Sequence, residues 1–299
     1  MKRVLRWLGI GLGGLLALAV LALIFVYIAS SRIIARTYDV PLVALEAPTD
    51  SVLLADGQRL TALWGCAGCH GDRLAGELMF EQLFLGRIAA PNLTRVLPLY
   101  SDAELERLVR HGVKRDGKSA FVMPAEFFYH LPDDQLGSII AFIRTIPAAE
   151  GPEGGVKFGP LGRLLLVLGE FRPAAEEVDR SVPRVPYPEP TDLLGLGEYW
   201  ATRACTFCHG EDLRGDEEVS APSLEVVATA YSPTQFEFLM RTGIGVGGRK
   251  LGLMSEVARD NLRHMTPQEV AGLYAYLRSR FGGDSGAPDP ATADSAAVQ

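Results

Sequence analysis

Residues 66–76, CAGCHGDRLAG, return almost unchanged at 205–215 as CTFCHGEDLRG, so the fold must hold one short constellation twice. The cysteine motifs lie 139 residues apart. Downstream the pairing continues at an offset of 131: APNL (90–93) over APSL (221–224), YSDAELERLVRHG (100–112) over YSPTQFEFLMRTG (231–243), Gly117 over Gly248 and Met123 over Met254. The change of offset puts eight extra residues in the first copy, between Gly76 and Ala89. Three extra residues in the second copy then set LPDDQLGSIIAFIRTIP (131–147) over MTPQEVAGLYAYLRSRF (265–281). One unit of about 90 residues is used twice.

The pattern is all-α, with no convincing strand alternation. Each unit predicts a helix leading into its cysteine motif (55–65, 194–204), a second after Ser101-Asp102 or Ser232-Pro233, and a closing helix (133–145, 267–280), with Asp133 and Thr266 as possible caps. Gly57 and Gly197 precede the motifs and suit close approach by the closing helix at Phe142 and Tyr276. The units are placed at 51–147 and 191–282. Residues 37–50 and the Pro/Gly-rich 148–190 are expected as linkers, the latter with one short docked helix, LGRLLLVLGEF (161–171). Residues 283–299 read as a disordered tail.

Residues 1–36 differ from the rest. Lys2, Arg3 and Arg6 precede an uncharged run from Trp7 to Ser31, closed by Arg32. That is enough helix to cross a hydrocarbon core ~30 Å thick. It exceeds the roughly 7–15 apolar residues of a signal peptide, although YIASS (27–31) offers a cleavage site. The length favours a single retained anchor, and the early basic residues favour an inside N-terminus. Without residues 1–32 the chain has 25 basic against 36 acidic side chains, a net −11. No basic run interleaved with aromatics supports nucleic-acid binding. GIGLGG (9–14) and GIGVGG (243–248) fit a dinucleotide fingerprint but lack its strand–turn–helix setting.

All four cysteines fall in the two motifs, leaving none for a disulfide framework. Cysteines at i and i+3 with histidine at i+4 match what a c-type haem requires: two sulfurs reaching two vinyl groups along one edge of a flat ring, and an imidazole beneath the iron. Cys66, Cys69 and His70 fit this, as do Cys205, Cys208 and His209. Two covalent haems are therefore expected. Structural zinc is the rival use of paired CxxC, but it leaves the adjacent histidines unexplained. Of six methionines, only Met123 and Met254 correspond between the copies, each in a glycine-containing loop, and they are the favoured distal ligands. His130 and His264 also correspond, at the entry to the closing helix, and form the rival pair. A backbone carbonyl near Pro91 or Pro222 could hold the second ring nitrogen of each proximal histidine.

These motifs resemble the class I cytochromes c, here as two tandem domains behind a transmembrane helix. CAGCHGDRLAG, APNLT, the Met123 loop and DDQLGSIIAFIRTIP look like the cytochrome subunits of membrane-bound bacterial dehydrogenases for alcohols, sugars or sugar acids, and GEYWATRACTFCHGEDLRG fits the same group. The resemblance implies His70 with Met123 and His209 with Met254 as axial ligands, and a place on the periplasmic side of the inner membrane. Those subunits usually carry three haem motifs where this chain has two, a count that suits equally a shuttle between a quinol-oxidising complex and a terminal oxidase. The expected function is electron transfer among protein partners, without a small-molecule substrate. A dihaem peroxidase and an anchored redox or gas sensor are the alternatives. The equivalence of Met123 and Met254 lacks the asymmetry of the first, and the six residues before the apolar run hold no output domain for the second.

Overall fold

The computed structural model describes residues 2–45 and 50–282 and divides into two compact units, residues 1–184 and 185–299. The expected tail, 283–299, and part of the 37–50 linker lie outside the described residues. The architecture is mainly helical.

The first unit runs α1 (Lys2–Ala35), α2 (Ser51–Leu63), α3 (Cys66–His70), β1 (Glu77–Gln82), β2 (Gly86–Ala90), α4 (Leu93–Val96), α5 (Asp102–His111), α6 (Ala125–Phe128), α7 (Asp133–Thr145), β3 (Gly155–Phe158), α8 (Pro160–Leu168) and α9 (Ala174–Glu177). In α1, the most apolar 18-residue window has a mean hydropathy of 2.7 and no buried residues. The second unit runs α10 (Leu193–Trp200), α11 (Thr206–His209), β4 (Gly215–Asp216), β5 (Ala221–Pro222), α12 (Glu225–Ala230), α13 (Pro233–Thr242), β6 (Ile244–Gly245), β7 (Arg249–Lys250), α14 (Leu253–Asp260) and α15 (Pro267–Phe281).

In each unit the helix before the cysteine motif crosses the closing helix at a glycine. A Cβ on Gly57 would stand 2.1 Å from the Ser138 carbonyl oxygen and 2.9 Å from the Phe142 Cβ. One on Gly197 would stand 2.0 Å from the Gly272 oxygen and 2.6 Å from the Tyr276 Cβ. Both backbones therefore touch where only glycine fits, as the sequence suggested. Buried Leu60, Leu136 and Ile140 fill out the first crossing, and Leu196, Leu273 and Leu277 the second.

Ser101 and Ser232 start α5 and α13 with complete capping boxes, satisfying orphan N–H groups at the helix start. Arg110 and Arg241, equivalent near the ends of these helices, donate to the carbonyls of Leu131 and Met265, tying them to the entry of the closing helix. Thr266 caps α15 with a capping box. Asp133 does not cap α7: it is the first helical residue, and its carboxylate instead pairs with Arg110 and Arg184, both at 2.7 Å.

Two expectations change. Strands are present: β1 and β2 form an antiparallel hairpin joined by β3, and β4–β5 and β6–β7 are two-residue pairs. The eight-residue insertion is the extension of the first hairpin, whose base corresponds to β4–β5. Most of β1 is exposed on both faces, so burial imposes no alternation on its sequence. Residues 148–184 are also not an extended linker. β3 pairs with β2, α8 packs on β2, β3 and α1, and Ala174 and Val178 share a buried cluster with Ala125 and Tyr129.

Candidate functional site

Helix α3 is a single turn that places Cys66 and Cys69 three residues apart with His70 at its end. Gly71 follows at φ 76°, ψ 160°, and Gly210 repeats those angles after His209. The chain then turns through Leu74 (φ 53°) and Leu213 (φ 62°), left-handed residues with buried side chains. The Leu74 and Leu213 carbonyls accept from the Leu93 and Leu224 amides, both at 2.9 Å. Gly76 and Gly215 make the return close, since a Cβ on either would stand 2.8 Å from the carbonyl oxygen of Ala90 or Ala221.

That turn brings a proline carbonyl under each imidazole. His70 Nδ1 lies 2.8 Å from the Pro91 oxygen, and His209 Nδ1 lies 2.7 Å from the Pro222 oxygen. A carbonyl only accepts, so Nδ1 carries the proton and Nε2 keeps its lone pair for a metal. Burial lowers the His70 pKa, against the opposing pull of the Pro91 bond, so the ring is neutral near pH 7.

The thiols are partly buried and unbridged. Burial pushes Cys66 and Cys205 up to about 12. Cys69 and Cys208 also shift up, by burial first and then through the carboxylates of Glu77 and Asp216. A dithiol redox pair needs the opposite shift. Among the described residues no three His, Cys, Asp or Glu side chains gather as a metal site.

The two routes into the motif differ. In the first unit the helix breaks at Gly65, left-handed at φ 72°. In the second it continues through a π-helical turn, Ala201–Cys205, one residue shorter when counted from the crossing glycine.

The methionines separate by burial. Met240 and Met265 are core residues at 1% and 3% exposure, and Met79 is exposed on β1. Met123 and Met254 are half-buried. Each follows a tight turn with the same register, Val113 bridging Ser119 and Ile244 pairing with Lys250. Met123 precedes α6, whose Phe127 meets Trp64 edge to face at 5.2 Å, joining its segment to the cysteine motif. Val122, beside it, is β-branched yet left-handed at φ 71°, a strained conformation of the kind concentrated at functional sites. Met254 is not in a loop: it stands in the first turn of α14, after Gly252 at φ 56°. The rival histidines have other company. His130 stacks edge-on to Tyr129, and His264 closes a 3₁₀ turn before α15. The left-handed leucines and the Trp64–Phe127 contact were not foreseen from sequence; the doubled phrase HGxxLxG is the signal that marks the former.

The sequence model of the cytochrome c family matches residues 54–147 and again 196–281. Over 258 residues the chain is 22% identical to the fructose dehydrogenase cytochrome subunit of Gluconobacter japonicus, covering 76% of this chain and 52% of that protein. The chain thus spans about half the length of the curated relative it matches.

Proposed function

The chain belongs to the cytochrome c family, as two tandem domains, and on that premise we propose that it is a membrane-anchored dihaem electron carrier, one haem bound through Cys66 and Cys69 and the other through Cys205 and Cys208. The observation that carries this is the doubled histidine geometry. Each CxxC turn ends in an imidazole whose Nδ1 is held by a proline carbonyl, leaving Nε2 to face a metal. The residues fit a c-type haem, which supplies a one-electron ferrous–ferric couple when bound.

The chain's own groups do the rest. The Pro91 and Pro222 carbonyls stop the imidazoles rotating and raise their basicity. Met123 and Met254 would supply the second ligand to each iron, and a thioether ligand raises the reduction potential relative to a second histidine. With histidine and methionine ligands both supplied by the chain, the bound group would exchange electrons without breaking a substrate bond. The protein sets the potential and presents the redox centre to partners. Residues 51–147 and 191–282 form the two redox domains, with 148–184 covering the first. Helix α1 holds them at the periplasmic face of a bacterial inner membrane, its basic N-terminus inside. The donor is a dehydrogenase, as the name of the Gluconobacter relative suggests, or a quinol-oxidising complex, and electrons leave towards a terminal oxidase.

The test is the absorption spectrum of the oxidised protein with a hydrogen peroxide assay on the same sample. Low-spin ferric haem with a methionine-to-iron charge-transfer band and no peroxide turnover is expected. A high-spin fraction that consumes peroxide would replace the carrier with a dihaem peroxidase.

A further inference from the structure

The first unit exposes an apolar surface around the tip of its first hairpin. Leu83 (86% exposed) and Phe84 (65%) form the tip of the β1–β2 hairpin. The tip is fixed to α8: the Gly159 and Leu161 amides donate to the Leu85 and Phe84 carbonyls at 3.0 and 2.9 Å. Helix α8, PLGRLLLVL, buries Gly162 and Leu166 inward, yet its outer side carries Leu161, Leu164 and Leu168. A helix over water shows a polar outer face; this one shows leucines at i, i+3 and i+7.

What lies beside this surface identifies its occupant. Helix α8 packs on α1. Its single charged residue, Arg163, donates to Ser30 and Ser31 at 2.9 and 3.1 Å and lies over the Tyr27 ring at 4.5 Å. Those positions are the last turns of the uncharged run before Arg32, the level where aromatic and basic side chains mark a membrane–water boundary. Between 83 and 90, and between 158 and 168, the charged residues are Arg87 and Arg163, with no carboxylate. That bias suits lipid phosphates. Among the described residues the second unit has neither the hairpin extension nor an equivalent of α8.

We propose that the Leu83–Leu85 tip and the Leu161/Leu164/Leu168 face of α8 insert into the lipid boundary of the bilayer that α1 spans, seating the first domain on the membrane by a second, interfacial contact. Interfacial elements of this kind sit ~5–10 Å deep. This rests on α1 being a retained span, and the test separates the two.

The full-length protein is reconstituted in phosphatidylcholine–phosphatidylglycerol vesicles, with one spin label per variant at Leu83→Cys, Leu164→Cys, Leu16→Cys or Leu99→Cys. All four side chains are exposed, so no core packing is lost. The unsubstituted chain gives the labelling background, and circular dichroism checks the fold. The readout is accessibility to oxygen against a water-soluble relaxation agent. The expected result is a ratio several-fold higher at 83 and 164 than at 99, and highest at 16. A high ratio at 16 with 83 and 164 resembling 99 would overturn the proposal and leave the anchor standing. Labels at 83 and 164 shielded from both agents would give the surface to a protein partner and also overturn it. A low ratio at 16 would remove the anchor and the proposal with it.

Discussion

The equivalent arginines Arg110 and Arg241 make the same tie in very different surroundings, and the difference has a calculable cost. Arg110 has no exposed side-chain surface, and it pairs at 3.0 Å with Glu106, whose side chain is 3% exposed. Arg241 is 28% exposed and lies 3.7 Å from Glu237, itself 52% exposed. Arg110→Met removes the cation and strands the Glu106 carboxylate in the core, a change that costs about 3–5 kcal/mol. Arg241→Met frees carbonyls and a carboxylate that water can reach, and costs about 1–2 kcal/mol. The expected gap is therefore about 2–3 kcal/mol, a factor of roughly 30–150 in the folded-to-unfolded ratio. Arg110→Met/Glu106→Leu removes the stranded charge and should recover part of the loss, because an apolar replacement of a whole buried pair is often close to neutral. Hydrogen exchange of α5 and α13 in increasing urea, read by mass spectrometry, reports each domain separately. Equal costs at 110 and 241, or a double variant weaker than Arg110→Met, would show that no stranded charge sets the difference.

Gly57→Ala and Gly197→Ala place a Cβ about 2 Å from a carbonyl oxygen, and each should destabilise its own domain by ~1–3 kcal/mol, seen by the same exchange measurement. His111 has its pKa lowered to about 4, by burial first and then by Arg180, Arg110 and Arg184; Glu106 faces it at 4.0 Å. The unfolded chain then binds the extra proton between roughly pH 6.5 and 4, so stability is present above that window and falls by on the order of 3 kcal/mol as the pH drops through it. Thermal melts of His111→Gln across pH 4–7 should show a shallower fall than the unsubstituted protein; an identical slope contradicts the assignment. Met123→His and Met254→His should each remove about half of the methionine charge-transfer band and lower one midpoint in a redox titration, whereas Met240→Leu and Met265→Leu should leave both unchanged.

Much of this was legible because the chain repeats itself. Gly57 and Gly197 stood at matching places before the motifs, and steric exclusion of a Cβ is a local rule that sequence position can reveal. The serine starts of α5 and α13 were readable for the same reason, since capping depends on three neighbouring residues. Pro91 and Pro222 were plausible acceptors for the histidines, but only the left-handed turns at Leu74 and Leu213 fix the distance, and a leucine at positive φ is marked by nothing but its place in the repeated HGxxLxG phrase. Residues 148–190 read as a linker because they are rich in proline and glycine, yet 148–184 are ordered. Their order comes from pairing with β2 and from small buried alanines, contacts that depend on distant chain. The role of Asp133 was missed because capping is a local property, while its partners Arg110 and Arg184 come from elsewhere in the sequence.

The proposed electron carrier requires two covalently held haems, one per domain. Intact-mass spectrometry of the purified chain with a pyridine haemochrome assay tests it most directly, on the unsubstituted protein and on Cys66→Ser/Cys69→Ser and Cys205→Ser/Cys208→Ser. The expected result is the chain mass plus two haems, falling to one haem in either double variant. A chain carrying no covalent haem, or one whose haem count ignores these cysteines, would contradict it.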